Sequence, residues 1–327
     1  MACPASSVTS SAAATLRAWR LLPSSPEPRR AKLFLCHGTH EHCGKPCYCE
    51  LAAAANAVGI EVFAIDFAGH GRREGNARGD FGELDDAIRD LVELVVSETL
   101  ASDNVPVALF GHSLGSMVAF LAAHELATNA ALPTPACVVL SGFAMDSISP
   151  PFGFHALVPV LRAMPSIVRA VCALLAQIQP TGPACPLPPP EALMRCPGRA
   201  VSSTHDPLQY NGWIQNRTAL ALLDGRRRCH ELLASWGRDF PFLLIHGEAD
   251  ELCPLTAPEA LMAKSPQKDK TLKVYAGSLH ELLNDVPERR DEVRADVVEW
   301  LVERLKARRD GSVQARAASP ATVRSKL

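Results

Sequence analysis

The sequence carries almost no net charge. Its 33 lysines and arginines nearly cancel 35 aspartates and glutamates, leaving −2 over 327 residues. That balance removes the basic footprint a nucleic-acid partner requires. A long uninterrupted apolar run is missing too. Met1 to Ala14 is rich in Ser and Ala, without the apolar core of a secretory signal. The most apolar stretch, PPFGFHALVPVLRAMPSIVRAVCALLAQI, is broken by Pro159, Arg162, Pro165 and Arg169, which argues against a membrane span. With no secretory signal, the eleven cysteines read as mostly reduced thiols of an intracellular protein. His37, His40, His42, Cys43, Cys47 and Cys49 crowd one segment without metal-ligand spacing, and no metal is expected there. The GHG of DFAGHGRREG lacks the spacing and following helix of a dinucleotide fingerprint, and no internal repeat is present. No acidic residue precedes Glu27, a faint likeness to a transit peptide. TLRAWRLL reads more simply as an edge strand before the loop PSSPEPRR.

Hydrophobic residues make up 47% and charged residues 21%, a globular composition. The length suits one large α/β domain with an insertion. Six short apolar runs stop near Gly, Asp or Ser: KLFLCHG, IEVFAIDF, VALFGHS, ACVVLSGF, FPFLLIHG and TLKVYAG. Such runs suit inner strands of a parallel sheet covered on both faces. Helical patterns lie between them, including residues 80–100 and 291–309, the first with acidic residues near its start. The expected fold is therefore α/β, with a mostly parallel central sheet and helices on both faces. The alternation fails over 146–214, which reads as an inserted cap. The expected organisation is a flexible start at 1–14, a core of 15–145 and 215–305, the cap at 146–214 and a flexible tail at 306–327. Within the cap, Ser166 to Ile178 fits a helix with Arg169, Ala173 and Gln177 on one face. Ile167, Val168, Val171, Leu174, Leu175 and Ile178 form a broad apolar face. That face either packs on the core or touches a membrane and receives lipid.

Gly111-His112-Ser113-Leu114-Gly115 has the form G-x-S-x-G between a strand and a helix. In a nucleophile elbow this sharp turn lifts a serine hydroxyl above the sheet edge, and the glycines avoid clashes with the neighbouring strand and helix. A serine needs a base, and the base needs an orienting acid. In the chain order Ser, acid, His, Asp250 follows one apolar run and His280 follows the next. Both sit where loops leave the carboxyl ends of strands. The expected triad is Ser113, Asp250 and His280. The expected oxyanion donors are the N–H groups of Leu114 and of Thr39, the latter in the loop after the first inner strand. Cys253, three residues after Asp250, places a thiol near this site, and Arg226-Arg227-Arg228 reads as a solvated helix-end cluster.

HGTHEH, DFAGHGRREG, GHSLGS, HGEADELC and the His280 segment together resemble the monoacylglycerol lipase group of the α/β-hydrolase superfamily, over about Thr15 to Leu305 apart from the insertion. The resemblance implies an α/β-hydrolase fold with a mobile cap and no metal or organic cofactor. It implies Ser113 as nucleophile, His280 as base, Asp250 as orienting acid, and Thr39 and Leu114 as oxyanion donors. The implied reaction splits a monoacylglycerol into fatty acid and glycerol. Glu41 and Lys45 are implied near the glycerol end; family members often carry arginine where Lys45 stands, and lysine lacks its fixed fork. Leu283 occupies a position where some relatives have a second histidine, and Ser116 one where many have glycine. The neighbouring readings are a lysophospholipase or broad carboxylesterase with the same triad, and a silent hydrolase fold that binds lipid or protein. Expected partners are a single-chain lipid ester, a membrane surface through the cap, and a peroxisomal import receptor. The last rests on the terminal Ser325-Lys326-Leu327, a receptor-read address for a peroxisome-type organelle.

Overall fold

The computed structural model describes residues 5–7, 18–21, 30–100, 105–146 and 165–309. Its main sheet has eight strands in the order β1-β2-β4-β3-β5-β6-β9-β10. These are β1 (Ala5–Ser7), β2 (Ala18–Leu21), β3 (Ala31–Cys36), β4 (Ile60–Ile65), β5 (Val107–His112), β6 (Cys137–Ser141), β9 (Phe242–Gly247) and β10 (Lys270–Tyr275). The six apolar runs supply the six parallel strands from β4 to β10. Both faces of β3, β4, β5, β6 and β9 are covered, which is why their sequence reads as continuous apolar runs, while β10 at the edge is only partly buried. The pleat still divides them. On β3, Phe34 and Cys36 join one core layer, while Ala31, Leu33 and Leu35 join the other. The strand expected at TLRAWRLL forms as β2, antiparallel to β4, but it is not the edge. Ala5–Ser7, inside the stretch read as a flexible start, pairs with Trp19–Leu21 and lies outside it.

One layer holds α2 (Leu84–Leu100) and α3 (Leu114–Thr128); the other holds α1 (Pro46–Ala57) and the closing α9 (Pro287–Arg309). The closing helix runs four residues past the expected core boundary at 305. α3 is apolar on all sides and buried from Leu114 to Ala123, as a helix wedged between sheet and outer helices must be. The described part of the cap comprises α4 (Pro165–Ile178), a β7 (Pro183–Cys185) to β8 (Ile214–Gln215) pair, α5 (Pro190–Leu193) and α6 (Pro197–Thr204). The chain then re-enters the core through α7 (Asn216–Leu232), and α8 (Thr256–Lys264) lies between β9 and β10.

α4 forms where a helix was expected, and its apolar face divides. Its Arg169 reaches back to Asp224 on α7 through two N–H donors at 2.5 and 2.9 Å. Val168 and Cys172 face the interior cavity. Ile167, Val171, Leu174 and Ile178 are 50–71% exposed. The broad apolar face is therefore split, and most of it points to solvent. No helix among the described residues is long and apolar enough to cross a membrane. The arginine run also differs from expectation. It lies mid-helix on α7, with Arg226 near Asp146, Arg227 on Glu231 and Arg228 on Asp85.

Candidate active site

β5 ends at His112 and α3 begins at Leu114, so Ser113 alone makes the turn, at φ 52° and ψ −122°. This is a strained conformation for a residue with a side chain. The glycines around it are required by space. A Cβ at Gly111 would lie 2.3 Å from the Gly115 carbonyl oxygen, and one at Gly115 would lie 2.4 Å from that of His37. Hydrogen bonds hold the turn. The Ser113 N–H donates to the Ser141 carbonyl at 2.9 Å. The Ser116 hydroxyl donates to the Ser113 carbonyl at 2.5 Å and accepts the Ala144 N–H at 3.2 Å. A glycine at 116 could make neither side-chain bond.

Asp250 lies just after β9 and His280 just after β10. The two loops press together at Gly247, where a Cβ would sit 2.2 Å from the Leu279 carbonyl oxygen. The Ala249 N–H donates to the Ser278 carbonyl at 2.9 Å and fastens them. His280 Nδ1 donates to Asp250 Oδ2 at 2.7 Å, and Asp250 Oδ1 accepts the N–H groups of Leu252 and Cys253 at 3.0 and 2.9 Å. Burial alone would raise the Asp250 pKa, but the His280 ring and these hydrogen bonds outweigh it, so the carboxyl is held below its ordinary value. Burial alone would lower that of His280. The Asp250 carboxylate, with the Cys253 sulfur nearby, outweighs that and raises it well above the ordinary histidine value. Burial pushes the Cys253 thiol up, so it stays protonated.

With Nδ1 held by the carboxylate, the His280 lone pair sits on Nε2. That atom is buried and has no hydrogen-bond partner among the described residues, Ser113 included. Ser113 and His280 line one cavity of about 290 Å³. Hydrogen bonds of this kind tighten when substrate enters. The expected oxyanion donors converge on the same place. Leu114 opens α3, so its N–H has no acceptor within the helix. Thr39 and Gly38 line the cavity with Ser113, and a Cβ on Gly38 would come 3.2 Å from the Ser113 Cβ.

Glu41 and Lys45 lie at one side, buried and bound to each other at 2.5 Å. Glu41 also accepts the Tyr48 hydroxyl at 2.5 Å and the Gly38 N–H at 3.0 Å, which ties it to the oxyanion loop. Lys45 reaches Ser203 Oγ at 3.3 Å. Both line a second pocket of about 280 Å³ that shares Thr39, Leu193 and Glu281 with the apolar cavity.

Sequence reasoning missed His112, Ser141 and Glu281. His112 and Ser141 are register partners on β5 and β6, and His112 Nδ1 lies 3.1 Å from Ser141 Oγ. His112 Nε2 lies 3.2 Å from Glu281 Oε1, and Glu281 Oε2 accepts Asn284 Nδ2 at 2.9 Å. Burial would raise the Glu281 pKa, but the His112 ring and the Lys45 ammonium hold it far below the usual carboxylate range. The one available signal was position, directly after His280. Leu283 packs into the core. The His/Cys segment of 37–49 disperses. His37 donates through Nδ1 to the Gly38 carbonyl and accepts the Phe67 N–H on Nε2, His42 bonds Asp206, and Cys43 and Cys47 enter the core.

Residues 27–287 match the serine aminopeptidase S33 family of hydrolases. The chain belongs to that family. It is 30% identical over 279 residues to monoglyceride lipase of Rattus norvegicus, covering 84% of each chain. It is 29% identical over 280 residues to monoacylglycerol lipase of Mycolicibacterium smegmatis, covering 84% of this chain and 89% of that one. Among solved structures it resembles the monoacylglycerol lipase of Paleococcus ferrophilus at a TM-score of 0.72 and 26% identity. The alignment covers 88% of this chain and 99% of that one. The α/β-hydrolase fold implied by the resemblance is thus shared with these relatives.

Proposed function

We propose that the protein is a serine ester hydrolase that splits a monoacylglycerol into a fatty acid and glycerol, with Ser113, His280 and Asp250 as its triad. The observation that carries this reading is a pair of adjoining pockets that share Thr39, Leu193 and Glu281, with Ser113 in the wall of one of them. The cavity against α4 is mostly apolar, lined by Val168, Leu187, Leu222 and Leu252 among others. Its neighbour carries more polar groups, among them Glu41, Lys45, Ser203 and Gln209. One acyl chain and one small polar alcohol, joined at an ester, match that division.

In the reaction, His280 Nε2 takes the proton of Ser113 Oγ as the oxygen attacks the ester carbonyl. The Thr39 and Leu114 amides hold the oxyanion, and Asp250 stabilises the imidazolium. His280 returns the proton to the departing glycerol. Water, activated by the same nitrogen, then releases the acyl group and restores Ser113. Asp250 holds the histidine tautomer through the 2.7 Å bond. Every step uses groups of the chain and water, so no cofactor is required.

The polar pocket favours a neutral alcohol. Glu41 and Glu281 place two carboxylates there against the single ammonium of Lys45, and a phosphate would add a third negative charge in a buried space. Fatty acid release from a long-chain 2-monoacylglycerol and from the matching lysophosphatidylcholine tests this, with wild type and Ser113→Ala. Glyceride turnover lost in the variant, with little lysolipid turnover, is the expected result. Preferred lysolipid turnover would overturn the substrate, and turnover surviving in Ser113→Ala would overturn the mechanism.

The same reading includes a membrane contact through the outward face of α4. Its support is the exposure of Ile167, Val171, Leu174 and Ile178 on an element whose other side borders the acyl cavity. It also includes delivery to a peroxisome-type organelle through Ser325-Lys326-Leu327, which lie outside the described residues. Deleting these three residues is expected to return the protein to the cytosol; unchanged organelle residence would defeat this part.

A further inference from the structure

His112, His280 and Glu281 offer ligand atoms that all lie within 4.8 Å of one another. The catalytic scheme uses only one of the three. Each is buried, and each has one side-chain atom held by a partner outside the group. His280 is fixed through Nδ1 by Asp250, which leaves the bare Nε2 lone pair without a partner. His112 is held through Nδ1 by Ser141 Oγ, which leaves Nε2 facing Glu281. Glu281 is held through Oε2 by Asn284, which leaves Oε1 facing His112.

Metal-ligating histidines show this arrangement: the far ring nitrogen is held by an outer partner and the near one points at the ion. The spacing agrees. Two ligand atoms each about 2.0–2.1 Å from a tetrahedral zinc lie about 3.3–3.4 Å apart, and His112 Nε2 and Glu281 Oε1 are separated by 3.2 Å. We propose that His112, His280 and Glu281 form an inhibitory Zn²⁺ site, in which the ion takes the Nε2 lone pair of His280 and leaves Ser113 without its base.

Proton placement is consistent. Without the ion, His112 carries its proton on Nε2 and donates it to Glu281. With the ion bound, that proton shifts to Nδ1 and is donated to Ser141, whose hydroxyl can turn from donor to acceptor. A water or the Ser113 oxygen completes four-coordination. A second grouping, Asp250, Cys253 and His280, is equally close-set. Its atoms are already engaged with one another and with backbone N–H groups, so the ion would have to break the triad's own bond first.

The site requires only that His280 serve as the base, whichever ester is cleaved. Binding and inhibition are therefore measured separately. Zn²⁺ is titrated into chelator-stripped, full-length Ser113→Ala protein, and Co²⁺ is used alongside to read coordination by visible absorption. Expected are one ion per chain and a tetrahedral Co²⁺ spectrum without thiolate charge-transfer bands. The affinity should fall by at least the roughly 10–100-fold that losing even an outer partner costs when Glu281→Gln or His112→Gln is added. In the active protein, Zn²⁺ should inhibit ester hydrolysis reversibly with chelator. Inhibition should need about 10–100-fold more metal in Glu281→Gln, taken relative to that variant's own uninhibited rate. Absent binding overturns the proposal. So does binding of unchanged strength in both variants, or a thiolate spectrum, since either would place the ion on cysteines.

Discussion

The Lys45 ammonium lies 2.5 Å from the Glu41 carboxylate, with both side chains only 5% exposed. Both residues border the polar pocket, but each is first the other's counter-ion. Glu41 is held below its ordinary pKa although burial and the nearby Glu281 charge oppose this, because Lys45 outweighs them; Lys45 is held above its own value against burial by Glu41. Lys45→Met strands a buried carboxylate that also anchors Gly38, and should cost about 3–5 kcal/mol of stability. Glu41→Gln combined with Lys45→Met should cost clearly less than the sum of the single changes. Urea unfolding of the four proteins in the cycle measures this, and additive losses would show that the two residues are not coupled.

The raised pKa of His280 sets the sign of the pH response. A general base works only when neutral, so activity falls as pH drops through its folded-state pKa, and that value lies above the ordinary 6.5. The acid limb of the kcat/KM profile should therefore lie above pH 6.5. Asp250→Asn removes the carboxylate that most raises it. That variant should lose about 10⁴-fold in kcat, and its residual activity should show an acid limb moved to lower pH. An unmoved limb would mean that another group controls it.

Gly142 supports the site without belonging to the triad. Its φ is +52°, and an added Cβ would lie 2.8 Å from His280 Cε1 and 3.0 Å from Nδ1. Gly142→Ala should therefore do two things. It should destabilise the fold by about 1–3 kcal/mol through the backbone, and lower kcat by displacing the ring from Asp250. Steady-state kinetics beside thermal unfolding separate the two effects. A stable, fully active variant would show that the His280 loop yields freely.

The strands and the elbow were readable because burial on both faces writes itself as unbroken apolar runs, and because Ser113 stands where one run stops and a helical pattern starts. Asp250 and His280 were readable from chain order and from their places after two such runs. Other features depend on which strand lies beside which. The bond between His112 and Ser141 follows from the β5–β6 register, which no local pattern encodes. Glu281 acquires meaning only when the β10 loop swings against β5. Periodicity showed that α4 has an apolar face, but not that Arg169 would anchor to α7 and turn much of that face outward. The resemblance placed Glu41 and Lys45 near the glycerol end, but only their positions in the fold show that they also pair with each other.

The turn at Ser113 has one further consequence. A φ of 52° with ψ −122° suits glycine and strains any other residue, at about 1–3 kcal/mol, against a total stability of about 5–15 kcal/mol for a typical domain. Ser113→Ala keeps that strain, while Ser113→Gly relieves it. The glycine variant should be dead as a catalyst and yet melt at a higher temperature than the native chain. The residue proposed as the nucleophile is then one that selection for stability alone would replace, so random mutation with purging only of unfolded chains should erode the function before the fold.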